Sequence, residues 1–187
     1  MRWIPLHFLL VLIALPASAS DRVSDGPFSI KEVKFGAFIH DLDGGNDESD
    51  SIDINLELAF HELQLFQSSN AFANFFATPR PHIGGTINTD GDTHTGYFGL
   101  TWDANFSQNI FFDLHLGGVG HTGNLHQRFN NDVSLGTRFL FREAFELGFR
   151  LSPTWTVSIQ GGHMSNAGID EDNDGMSWIG ARLGLRY

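Results

Sequence analysis

The chain has 187 residues, with 22 acidic side chains against 11 Lys and Arg, and no cysteine. A formal charge of −11 speaks against nucleic acid as a partner, and without cysteine no disulfide framework can hold the fold. Eighteen Phe and 21 Gly beside 6 Pro suit strands and tight turns, in either a soluble sandwich or a barrel.

At the N-terminus, Arg2 precedes an apolar stretch from Phe8 to Leu15 and a small-residue site, Ala17, Ser18 and Ala19. That order predicts a secretory signal peptide over residues 1–19, cleaved after Ala19. The stretch is too short for a membrane helix, which needs about 20 apolar residues, and no later stretch is longer or more apolar. Removing 19 of 187 residues leaves 168, and with Arg2 gone the remaining chain carries 10 basic and 22 acidic groups, a charge of −12. Residues 20–187 are expected to form one domain.

Alternation decides between sandwich and barrel. Ile52, Ile54, Leu56, Leu58 and Phe60 share one face of a period-two segment, with Asp53, Asn55 and Glu57 on the other. Phe139, Phe141, Glu143, Phe145, Leu147, Phe149 and Leu151 repeat the pattern against Arg138, Arg142, Glu146 and Arg150. The last residues, Ile179, Ala181, Leu183, Leu185 and Tyr187, alternate with Gly180, Arg182, Gly184 and Arg186, and such a terminal strand ending in an aromatic resembles the outer-membrane assembly signal. Strands are predicted near 30 to 40, 51 to 62, 80 to 88, 94 to 106, 109 to 120, 134 to 151, 154 to 165 and 176 to 187. Eight strands in 168 residues leave 21 for each strand and its connection, enough for a tilted span of about 9 to 11. The expected fold is therefore all-β, an eight-stranded antiparallel transmembrane barrel whose closure satisfies every backbone group in hydrocarbon. Its interior would be filled by side chains, with Arg138, Arg142, Glu146, Arg150, Asp53 and Glu57 as a structural charge network.

With both termini in the periplasm, 41 to 50, 89 to 93, 121 to 133 and 166 to 175 become outer loops. Asp41, Asp43, Asp47, Glu48 and Asp50 read as solvated acidic loop residues, with divalent cations shared with lipopolysaccharide phosphates as the sharper alternative. Asp170, Asp172, Asp174 and Gly175 open like an EF-hand loop, but the twelfth position is Ala181 rather than Glu, so calcium is not expected. His40, His61, His82, His94, His115, His121 and His126 show no compact ligand spacing, and no metal is expected. Phe72, Phe75 and Phe76 read as a periplasmic turn anchored at the interface.

His163 and Ser165 close the apolar face of the seventh strand at its outer end. Two apart on a strand, their side chains project the same way with Cα atoms roughly 6.6 Å apart, within reach of a Ser-His hydrogen bond. The segment HMSNAGIDEDNDGM, residues 163–176, with His163, Ser165, Asn166, Ala167, Gly168, Asn173 and Gly175, resembles the signature of the lipid A 3-O-deacylase family. These are eight-stranded outer-membrane esterases that remove an acyl chain from lipopolysaccharide. The similarity is clearest from about Gly136 to Tyr187.

The resemblance implies that Ser165 is the nucleophile and His163 its base, with oxyanion donors near Ala167 and Gly168 and with Asn166 and Asn173 supporting the loop. It implies lipid A or lipopolysaccharide in the outer leaflet as substrate, no cofactor, and an outer-membrane location; a homodimer stays open. Ser177 stands where the family has the glutamate that orients the histidine, which makes a noncatalytic barrel, serving as scaffold, adhesin or lipid-binding relative, the alternative. Register offers a substitute: a three-residue turn at Ser152 to Thr154 pairs Leu151 with Trp155 and, counting outward, sets Glu143 opposite His163 on the lipid-facing parity. The competing expectation is a bulge or slip that turns Glu143 inward.

Overall fold

The computed structural model describes residue 26, residues 29–42, residue 48, and residues 51–127 and 133–187. The expected signal peptide lies outside the described residues. The chain forms eight strands, β1 (Ile30–Ile39), β2 (Ile52–Phe60), β3 (Arg80–Asn88), β4 (Thr95–Asn105), β5 (Ile110–His121), β6 (Phe139–Arg150), β7 (Trp155–Ser165) and β8 (Met176–Arg186), with one helix, α1 (Ala71–Ala77). Each strand pairs antiparallel with the next, and β8 pairs back onto β1, so the sheet is a closed barrel in sequence order. A strand of 11 residues rises about 36 Å and, tilted by about 45°, spans the roughly 25 Å apolar band of an outer-membrane barrel. No helix among the described residues is long and apolar enough to cross a membrane.

The period-two pattern becomes two faces. In β6, Phe139, Phe141, Glu143, Phe145, Leu147 and Phe149 point outward and are exposed, while Leu140, Arg142, Ala144 and Glu146 are buried inside. Outward side chains such as Leu56, Ile87, Phe141 and Ile159 remain more than half exposed, as a lipid-facing surface requires.

The interior holds a network of ion pairs beside an apolar cluster that includes Phe38, Val119, Leu140, Met164 and Met176. Lys34 Nζ donates to Glu146 Oε1 at 2.8 Å and to Asp113 Oδ2 at 3.3 Å, and Arg182 Nη2 donates to Glu57 Oε1 at 2.8 Å. Arg80 joins Asp103 at 2.6 Å and Asp113 at 3.1 Å. Of the charges expected inside, Asp53, Glu57, Arg142 and Glu146 are buried there; Arg150 is half-buried at the end of β6, and Arg138, just before the strand, is exposed and outside the network. Around Arg142 the rings of Tyr97 and Trp178 stack at 4.0 and 4.9 Å from its guanidinium carbon. Such a filled eight-stranded interior is a plug, not a pore.

Two expectations change. Residues 134–138 do not extend β6: Gly136 adopts φ +70, and the Leu135 and Gly136 amides donate to Asn124 O and Leu125 O, within the β5–β6 connection. A left-handed residue breaks the extended geometry that the alternation alone suggested. The Phe72, Phe75 and Phe76 segment, expected as a turn, lies in the seven-residue helix α1. Asn70 caps it by accepting the Ala73 N–H at 3.1 Å, and the aromatic cluster continues to Trp102, whose indole Nε1 donates to Phe76 O at 3.3 Å.

Candidate active site

The turn between β6 and β7 fixes what happens at their far ends. Leu151 N donates to Trp155 O at 2.9 Å, and Ser152 Oγ accepts the amides of Thr154 and Trp155, which holds the three-residue connection. Counting outward from it, the ladder pairs Leu147 with Ile159, Phe145 with Gly161, Glu143 with His163 and Phe141 with Ser165. Glu143 is exposed on the outer face, not turned into the barrel. His163 and Ser165 share that face and are half-buried. Leu116 of β5 stands opposite Glu143, so one line around the wall reads Leu116, Glu143, His163 and Ser177.

These residues border a groove of about 380 Å³ lined by Leu116, Phe141, Glu143, His163, Ser165 and Ala167. The lining interleaves the hydrocarbon of Leu116 and Phe141 with a carboxylate, an imidazole and a serine hydroxyl. Among the described residues no hydrogen bond joins Ser165 to His163 or Glu143 to His163. The histidine is held from β8 instead: its Nδ1 lies 3.0 Å from Ser177 Oγ, across the directly paired positions 163 and 177. At the ring's other edge Gly175, with φ +71, comes so close that a Cβ there would stand 2.7 Å from His163 Cε1 and 3.0 Å from Nε2.

After Ser165 the chain turns sharply. Ala167 and Gly168 have φ of 56° and 78°, both left-handed, and Ile169 N donates back to Asn166 O at 3.2 Å. A non-glycine residue in that region costs about 1–2 kcal/mol, and Asn166 stabilises the turn against it. Its Oδ1 accepts the Gly168 N–H at 2.8 Å, its own N–H donates to Asn173 Oδ1 at 2.8 Å, and its Nδ2 donates to Asp172 O at 2.7 Å. Among the described residues the Ala167 N–H has no acceptor. Sequence reasoning missed how this loop is seated: Asp174 Oδ2 accepts both the backbone N–H and the hydroxyl of Ser134 at 2.8 Å, and Gly136 lies directly beneath Asn166 and Asp172.

Folding also gathers side chains that are far apart in sequence. Glu57, His82 and His115 bring ligand-type atoms within 4.8 Å of one another inside the barrel. Glu57 already receives Arg182, and His82 and His115 flank Thr101 Oγ1 at 2.9 and 3.0 Å, so these groups serve the interior network. In the loops, His126, Asp170 and Asp172 cluster likewise. Of the acidic loop residues, Glu48 turns inward onto His40 Nε2 at 3.2 Å, whereas Asp43, Asp47 and Asp50 lie outside the described residues.

The family model of the lipid A 3-O-deacylase PagL matches residues 75–186. The chain belongs to the lipid A 3-O-deacylase family. The crystal structure of the outer membrane enzyme PagL superposes with a TM-score of 0.58 at 18% identity, covering 85% of this chain and 100% of that one. A structure from the de novo design of transmembrane β-barrels superposes at 0.52 with 9% identity, covering 84% and 95%. At these identities the two superpositions speak for the barrel fold alone. No curated protein matches the chain in sequence. The deacylase-family match begins just before β3 and so takes in the groove, its loop and Ser177, while β1 and β2 precede it.

Proposed function

We propose that this deacylase-family barrel is an outer-membrane esterase that cleaves an ester-linked acyl chain from lipid A or a similar glycolipid of the outer leaflet. The observation that carries the reading is the placement of Ser165 and His163 on the lipid-facing wall, beside a mainly apolar groove that Leu116 and Phe141 help to line. An acyl chain reaches such a site laterally from the bilayer, with no channel.

In the reaction Ser165 Oγ attacks the ester carbonyl carbon while His163 Nε2 takes the hydroxyl proton. The tetrahedral oxyanion is met by the Ala167 N–H, the amide left without an acceptor, while Gly168, whose N–H is engaged by Asn166, shapes the turn. His163 then returns the proton to the departing sugar alcohol, and water, deprotonated by the same ring, releases the fatty acid and restores Ser165. Asn166 and Asn173 keep the loop in place. Directly opposed residues have Cβ atoms about 4.5–5.5 Å apart, so the Glu143 carboxylate stands beside the ring and stabilises the imidazolium formed in the transition state.

Mass spectrometry of lipid A after incubation with the refolded barrel tests this directly, run beside Ser165→Ala and His163→Ala. Loss of one hydroxyacyl mass with the wild type alone is expected. Unchanged lipid A across several lipid A types, with folding verified, would leave a noncatalytic barrel.

A further inference from the structure

A histidine acting as base through Nε2 must carry its proton on Nδ1, and something must hold it so. In a serine triad a buried carboxylate does two jobs: it fixes the tautomer and orientation of the ring, and it stabilises the ring's positive charge. In this chain the group touching Nδ1 is a neutral hydroxyl, Ser177 Oγ at 3.0 Å.

We infer that Ser177 is the positioning residue for His163, its Oγ accepting the Nδ1 hydrogen and leaving Nε2 as the unprotonated nitrogen. This rests on the esterase reading given above. Three features of the site converge on it. Positions 163 and 177 are directly paired across β7 and β8, so the contact is set by the ladder and not by a mobile loop. Gly175 lies close enough to the Cε1 and Nε2 side that no Cβ would fit there, which leaves the ring little room to swing away from Ser177. Glu143 approaches from the opposite strand without bonding to the ring, so charge compensation and orientation come from separate residues on the two strands flanking β7.

A hydroxyl at 177 therefore keeps the orienting function of a triad acid and gives up its charge. A neutral hydrogen bond of this kind is worth about tenfold in rate, far less than the four orders of magnitude that loss of a triad carboxylate costs.

The test combines kinetics with the nitrogen NMR of the His163 ring in the detergent-refolded barrel. The wild type is expected to show the Nδ1–H tautomer at neutral pH. Ser177→Ala should lose about tenfold in kcat with KM unchanged and should populate both tautomers. Ser177→Thr, which keeps the hydroxyl, should restore the rate and the single tautomer. A wild-type ring protonated on Nε2, or a Ser177→Ala protein with unaltered kcat and tautomer, overturns the inference. The tautomer is read whether or not lipid is cleaved, so a barrel that shows the Nδ1–H form yet leaves every lipid A intact would sink the esterase reading and not the role of Ser177. If Ser177→Ala does not fold, the wild-type and Ser177→Thr spectra decide.

Discussion

The inner and outer faces of β6 each carry a glutamate, with opposite consequences. Inside, Glu146 is fully buried and receives Lys34, Arg182 and the Ser158 hydroxyl, so its charge is matched from several strands. Outside, three residues away on the same strand, Glu143 stands exposed among Phe141, Phe145 and Leu147 and accepts no hydrogen bond among the described residues. A carboxylate whose bonds are all made stabilises a structure; one left open on a greasy wall, next to an imidazole and a serine, is available to a substrate.

Substitutions can separate the two faces. The largest effect is expected at the outer pair: Ser165→Ala or His163→Ala should reduce turnover by up to about six orders of magnitude, as for removal of a nucleophile or base elsewhere, while the barrel's unfolding is unchanged. The inner face should behave in the reverse way. Arg182→Met leaves Glu57 and Glu146 short of a buried partner, and urea unfolding should show a loss of about 3–5 kcal/mol, with turnover per folded molecule retained.

Gly175→Ala joins the two kinds of effect. Its left-handed φ costs about 1–2 kcal/mol with a side chain, and the added methyl presses on His163, so both thermal stability and kcat should fall. The smallest change is expected for Glu143→Gln, about tenfold in kcat from lost charge compensation, with stability unmoved; equal turnover in that variant would remove Glu143 from the mechanism.

Much of this contrast could be read before any fold was known. Alternation along β2, β6 and β8 assigns each residue to a face, and the tight Ser152 to Thr154 connection transmits the register that brings Glu143 opposite His163. Short turns make register readable because they leave no slack. The β7–β8 connection is ten residues long, 166–175, so register cannot be counted across it; the family resemblance alone sets position 177 beside His163, and it does not reveal that the serine bonds to the ring. Lys34 and Arg182 as partners of Glu146 were invisible for a different reason: such pairs form between strands distant in sequence, through the barrel's interior. The seating of the β7–β8 loop on Ser134 and Gly136 depends in the same way on two loops meeting, and the helix α1 on one capping side chain, Asn70.

The central claim is that Ser165 is an activated nucleophile on the lipid-facing wall. It is tested most directly by intact-mass measurement of the refolded barrel after exposure to a lipophilic fluorophosphonate, which reacts only with an activated hydroxyl. The account predicts a single covalent adduct that maps to Ser165 and is abolished in both Ser165→Ala and His163→Ala. No adduct on the wild type, or one that persists in Ser165→Ala, would contradict it.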